Sequence, residues 1–201
     1  MTDNWSDVTL GQWKRLNAID PESEDRTFEM VAVLENTTLD DIMNRPLPEV
    51  SGLVKKLNFL AESKPRTHRV KTRYRLGDTT YVFNTDFREI TVSQYIDFTN
   101  IQKGPEHLTE LLTVFLIPKD KAYGQGYNIE KVMQDIDTYL TLEEANSLSA
   151  FFLRWWETLL WIAETRTRRS LRKAVKAGAV TREQMEETLE TIRGLRTAFN
   201  G

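Results

Sequence analysis

Apolar residues fall at helical spacing over most of the chain. Leu10, Trp13, Leu16 and Ile19 stand three apart and form the stripe of an amphipathic helix, with Thr9 as its cap. Asp20-Pro21-Glu22-Ser23 breaks that helix. Residues 28–34 predict a second helix with Met30, Val31 and Leu34 inward, and Thr38-Leu39-Asp40-Asp41 caps a short one through Met43. Pro46 and Pro48 stop it, and Pro48-Glu49 opens another with Val50, Leu53, Val54, Leu57 and Leu60 at helical spacing. The period then changes to two. Residues 69–76 alternate basic and non-basic side chains, Gly77-Asp78 is a turn signal, and Thr79-Thr80-Tyr81-Val82-Phe83 is β-branched and aromatic. This predicts a two-stranded hairpin. A lone hairpin is marginal in water, so it is expected to lie on helices or to pair with another chain.

The pattern then repeats. Trp5-Ser6-Asp7-Val8-Thr9-Leu10-Gly11-Gln12-Trp13 returns as Phe87-Arg88-Glu89-Ile90-Thr91-Val92-Ser93-Gln94-Tyr95, and Leu16 and Ile19 return as Phe98 and Ile101. Residues 108–117 match 28–34 as the second helix, ended by Pro118. Asn128-Ile129-Glu130-Lys131-Val132-Met133 echoes the segment from Thr38 to Met43, and residues 140–153 echo 47–60, with Thr141-Leu142-Glu143-Glu144 as a capping box. Four corresponding elements in one order indicate a duplicated helical module. Each copy carries a Thr-x-x-Gln box, Thr9/Gln12 and Thr91/Gln94, which predicts reciprocal helix capping without a ligand. The last fifth has no counterpart in the first copy. The helix begun near Leu142 is expected to run to about Ala177 and end at Gly178. A capping box, Thr181-Arg182-Glu183-Gln184, opens a final helix striped by Met185, Leu189, Ile192 and Leu195, giving an antiparallel helical hairpin. The predicted fold is therefore mainly α: a first helical repeat at 1–62, a basic β-hairpin at 63–86, a second repeat at 87–162 and a C-terminal helical extension at 163–201.

Composition narrows the chemistry. At 201 residues, 40% hydrophobic and 28% charged, the chain has an ordinary globular balance and enough length to bury a core. Cysteine is absent, which removes disulfides, thiolate catalysis and cysteine-based zinc sites and fits a cytosolic setting. The N-terminus does not read as a signal peptide. The most apolar stretch, 151–162, holds Arg154 and Glu157 and falls short of the roughly 20 residues that span a bilayer, so no membrane partner is expected. Net charge is -3, but it is uneven. Residues 1–50 carry 11 acidic and 4 basic side chains, whereas Lys64, Arg66, Arg69, Lys71, Arg73 and Arg75 form a block with no acid. A second block holds Arg166, Arg168, Arg169, Arg172, Lys173 and Lys176. Such blocks either balance the acidic part as solvated faces or steer a partner.

No constellation reads as catalytic, cofactor-binding or metal-binding. His68 and His107 are far apart in sequence, and His68 sits among cations that would repel a metal. Asp40-Asp41 and Asp135-Ile136-Asp137 lack converging ligands, and Asp40-Asp41 suits a helix N-terminus. Gly124-Gln125-Gly126 lacks the third glycine and the following Lys-Ser/Thr of a phosphate loop, so it reads as a connection.

The densest aromatic cluster is Trp155, Trp156 and Trp161 with Phe151, Phe152 and Leu159. Residues 151, 152, 155, 159 and 162 share one side of a helix, while Trp156 and Trp161 point partly away from it. The cluster is either core or a second contact surface. The basic helix carries groups suited to phosphate, namely Arg166, Arg168, Arg169, Arg172, Lys173 and Lys176. The other reading faces them toward Glu183, Glu186, Glu187 and Glu190 on the next helix.

Val8-Thr9-Leu10-Gly11-Gln12-Trp13, then Leu47-Pro48, then Tyr81-Val82-Phe83 ahead of Ile90-Thr91-Val92-Ser93-Gln94-Tyr95, resembles small proteins of the morphogenesis modules of tailed bacteriophages, especially those infecting Bacteroidetes. The likeness covers nearly residues 5–160. It implies a non-enzymatic virion-assembly protein, similar in role to a tail assembly chaperone, that binds other phage structural proteins near the tail or portal. It implies work in the host cytoplasm during assembly, or in the virion, and no cofactor. Self-association and nucleic acid stand as further partners, the latter through residues 64–75 and 166–176. The expected partner surface is Trp155, Trp156 and Trp161 with the hairpin residues Val70, Tyr74, Tyr81 and Phe83, since aromatics supply interface energy and a strand edge accepts another strand.

Overall fold

The computed structural model describes residues 3–86, 89–101 and 105–197; for part of 153–163 and beyond residue 191 it describes the backbone alone. The chain is mainly helical, with a small antiparallel sheet between its helical halves. It forms two compact units, one up to Ser149 and one from Ala150 onward.

The first half holds α1 (Leu10–Ala18), α2 (Arg26–Glu35), α3 (Leu39–Met43), α4 (Leu47–Lys55) and a last turn α5 (Phe59–Glu62). Thr9 caps α1 and Thr38 caps α3, each in a complete reciprocal box. Val31, Ala32, Ile42 and Val50 form one buried cluster, flanked by Phe28, Leu53, Val54 and Leu57. Val8, Leu34 and Phe59 form another, with Trp5 edge-on to Phe59 at 5.3 Å.

The second half repeats the order with α6 (Val92–Asn100), α7 (Leu108–Phe115), α8 (Ile129–Tyr139) and the start of α9 (Leu142–Lys176). Thr91 caps α6 in the same box as Thr9, and both helices leave at an isoleucine, Ile19 or Ile101, with φ -68 and ψ 129. Asn128 caps α8 where Thr38 caps α3. Phe98 meets Phe115 edge-on at 5.6 Å.

The expected lone hairpin is a three-stranded sheet in the order β1 (Arg73–Leu76), β2 (Thr79–Phe83), β3 (Leu116–Pro118). Tyr74 lies opposite Tyr81, and Phe83 opposite Leu116. The second helix of copy two thus ends at Phe115, and the last apolar residues of that run turn into a strand that completes the sheet. Gly77 makes the β1–β2 turn at φ +56, a left-handed conformation that costs glycine little.

In the second unit, α9 ends at Lys176, Gly178 turns at φ +74, and α10 (Arg182–Thr197) follows to complete the helical hairpin. Thr181 and Gln184 cap α10 reciprocally at 3.0 and 3.2 Å. Leu189 of α10 is buried.

Candidate contact surface

Alternation along β1 turns Tyr74 and Leu76 inward and leaves Arg73 and Arg75 exposed. Tyr74, Tyr81 and Phe83, expected as partner contacts, are buried in the chain's own core. The Tyr81 hydroxyl donates to Asp135 of α8 at 2.6 Å, and Lys131 reaches the same carboxylate at 2.9 Å. Burial and the adjacent carboxylate push the Tyr81 phenol well above its ordinary range. Val70 is half-buried and precedes β1. Of the hairpin's basic block, Lys71 pairs with Glu144 at 2.6 Å.

His68 meets Glu143 rather than standing among cations, its Nε2 lying 2.9 Å from the carboxylate. The Arg66 N–H donates to the other oxygen of Glu143 at 2.9 Å, and the His68 N–H donates to the Ser147 hydroxyl at 2.8 Å. Ser147 in turn donates to the Glu143 carbonyl at 2.6 Å. Serine, histidine and glutamate therefore line one cleft, but the hydroxyl is engaged by backbone and does not bond the imidazole. The arrangement pins residues 66–68 to the start of α9. Burial acts to raise the Glu143 carboxyl; the Arg66 N–H and His68 outweigh it and hold the group below the usual carboxylate range. Sequence spacing gives no hint of this cluster, because its two halves, Arg66 with His68 and Glu143 with Ser147, lie more than seventy residues apart.

The other candidate polar groups also have structural partners. His107 lies 2.6 Å from Glu110, one turn along. Asp137 accepts from Lys14 at 3.1 Å and from Thr109. Asp41 completes the Thr38 box, and hydrogen bonds from Thr38 and Thr37 hold its carboxyl below the usual range. Residues 122–126 form a tight turn closed by the Gln125 N–H on Ala122. No group of three or more His, Asp and Glu suited to a metal ion gathers among the described residues. Among the same residues, no helix is long and apolar enough to cross a membrane.

Both repeat glutamines do more than cap. The Gln12 side-chain oxygen accepts the Thr9 N–H at 2.9 Å while its amide donates across to the Leu34 carbonyl at 3.3 Å. Gln94 accepts from Thr91 at 3.1 Å and donates to the Val114 carbonyl at 3.0 Å. Each box therefore ties the start of one helix to the end of the next. Glutamate would accept at the cap but has nothing to donate to the carbonyl.

On α9, Trp155 is half-buried and Trp161 is 59% exposed; the Trp156 side chain lies outside the described residues. An open groove beside Trp161 is lined by Glu164, Thr165, Arg168, Arg169 and Arg172. Arg168 pairs with Glu164 one turn back on the same helix at 2.7 Å. Arg166, Arg169, Arg172, Lys173 and Lys176 are exposed. Comparison with family models, with curated proteins and with solved structures finds no match to this chain.

Proposed function

We propose that this chain is a non-enzymatic bacteriophage assembly protein, most similar in role to a tail assembly chaperone, acting through protein–protein contacts in the host cytoplasm or the virion. The observation that supports this reading is the exposed Trp161 beside a groove lined by Arg168, Arg169 and Arg172. Tryptophan and arginine dominate binding energy at protein interfaces, and an indole next to guanidinium groups suits a partner segment with apolar and acidic side chains. Trp155 and Trp156 stand on the same helix. Tagged chain expressed during infection is expected to capture tail or portal-proximal proteins. Trp161→Ala weakens that capture by about 2 kcal/mol, roughly thirtyfold, while circular dichroism stays helical. Undiminished capture by the variant, or none by the wild type, contradicts the reading.

The exposed Arg166, Arg169, Arg172, Lys173 and Lys176 favour a second reading, in which this face meets nucleic acid together with residues 64–75. It expects DNA binding that falls steeply with salt. Absence of retention on DNA at low salt removes it.

A further inference from the structure

The duplication shows what one of the chain's exposed faces lacks. From the first half, α1 docks on α8 of the second. A short antiparallel bridge joins Thr9 to Thr141, with the Leu10 N–H on the Leu140 carbonyl at 2.9 Å and the Leu142 N–H on the Val8 carbonyl at 2.8 Å. Gly11 lets the helices touch: a Cβ there would stand 2.6 Å from the Asp137 carbonyl oxygen. Lys14 closes the contact as an ion pair with Asp137, and Leu10, Leu140 and Leu142 are fully covered.

The equivalent of α1 is α6, where Val92, Ser93 and Ile96 take the places of Leu10, Gly11 and Lys14. The equivalent of the α8–α9 junction is the α3–α4 junction, where Leu47 takes the place of Leu140, since 47–60 echoes 140–153. Both faces are open. Val92 is 76% exposed and Leu47 is 78% exposed, with Ile96 and Met43 also in solvent. No bridge joins residues 90–92 to residues 47–49 among the described residues. The filled contact matches a lysine to an aspartate, whereas the open pair offers Ile96 on one side and Met43 and Leu47 on the other.

We infer that a second copy of this chain supplies the missing contact: α6 of one copy seats its Val92–Ile96 face on the Met43–Leu47 surface of the other. Because each copy carries both faces, reciprocal docking closes a two-fold dimer with two identical contacts. The receiving helix α3 is shorter than α8, so the contact rests on the α3–α4 junction. The inference stands on the repeat itself and is independent of the Trp161 surface on α9.

Sedimentation equilibrium on the full chain tests it. The wild type is expected at twice the 23.4 kDa monomer mass. Ile96→Lys and Leu47→Glu, both on exposed positions, each break both contacts and leave monomers of unchanged circular dichroism. An equimolar mixture of the two variants regains the dimer, because the intact α6 face of one meets the intact Leu47 surface of the other and the substituted faces carry opposite charge. A monomeric wild type, variants that remain dimeric, or a mixture that remains monomeric overturns the inference. The Trp161→Ala variant remains dimeric, which separates this test from that of the assembly role.

Discussion

Tyr81 links the sheet to α8. Its ring is buried opposite Tyr74 in the sheet, and its hydroxyl reaches the Asp135 carboxylate on α8. A hydrogen bond to a charged acceptor stabilises by about 1.5–3 kcal/mol. Tyr81→Phe keeps the ring and removes that bond, while Lys131 still holds Asp135. The variant is expected to unfold at lower denaturant, by about 2 kcal/mol, as followed by equilibrium fluorescence. Stability equal to the wild type contradicts a structural role for the pair. Sequence spacing does not reveal this bond. The alternation of residues 73–83 marks a strand pair, but choosing which face is inward needs the helix that covers it. Asp135 looked like one of a pair of carboxylates only because its partner lies 54 residues away.

At the scale of elements, helix docking separates equivalent positions that the sequence treats alike. Gly11 and Ser93 occupy the same place in their helices, yet only Gly11 faces a packed backbone. Gly11→Ala is expected to cost about 1–3 kcal/mol through forced separation of α1 and α8, despite alanine's better helix propensity. Ser93→Ala, on an exposed position, is expected within about 0.5 kcal/mol of wild type. Thermal unfolding of the two variants checks the pair; equal effects contradict the docking. The helices themselves were legible, because caps and three-to-four spacing are local signals: Thr9, Thr38, Thr91 and Thr181 each open a helix as read. The third strand was not. A short apolar run such as 108–117 suits a helix or a strand equally, and only pairing with β2 decides that its end is β3. Within α9, Glu164 stands one turn from Arg168 and pairs with it.

For the whole molecule, the duplication accounts for more than any single motif. It explains why two glutamines recur, why both first helices end alike, and why one copy's outer face is exposed while the other's is covered. Trp161 is exposed, as its position on the helix suggested, whereas Tyr74, Tyr81 and Phe83 of the hairpin are buried in the core. The central claim is that one helical module was built twice and that its repeated polar letters hold helices together. Matched substitutions test it most directly. Gln12→Glu and Gln94→Glu each keep the cap acceptor but set a buried carboxylate against a backbone carbonyl, at a cost of about 3 kcal/mol. Denaturant titration of the two variants is predicted to show the same fall in midpoint, each by that amount, with an unchanged slope. Wild-type stability in either variant, or loss of partner capture without loss of stability, would contradict the account.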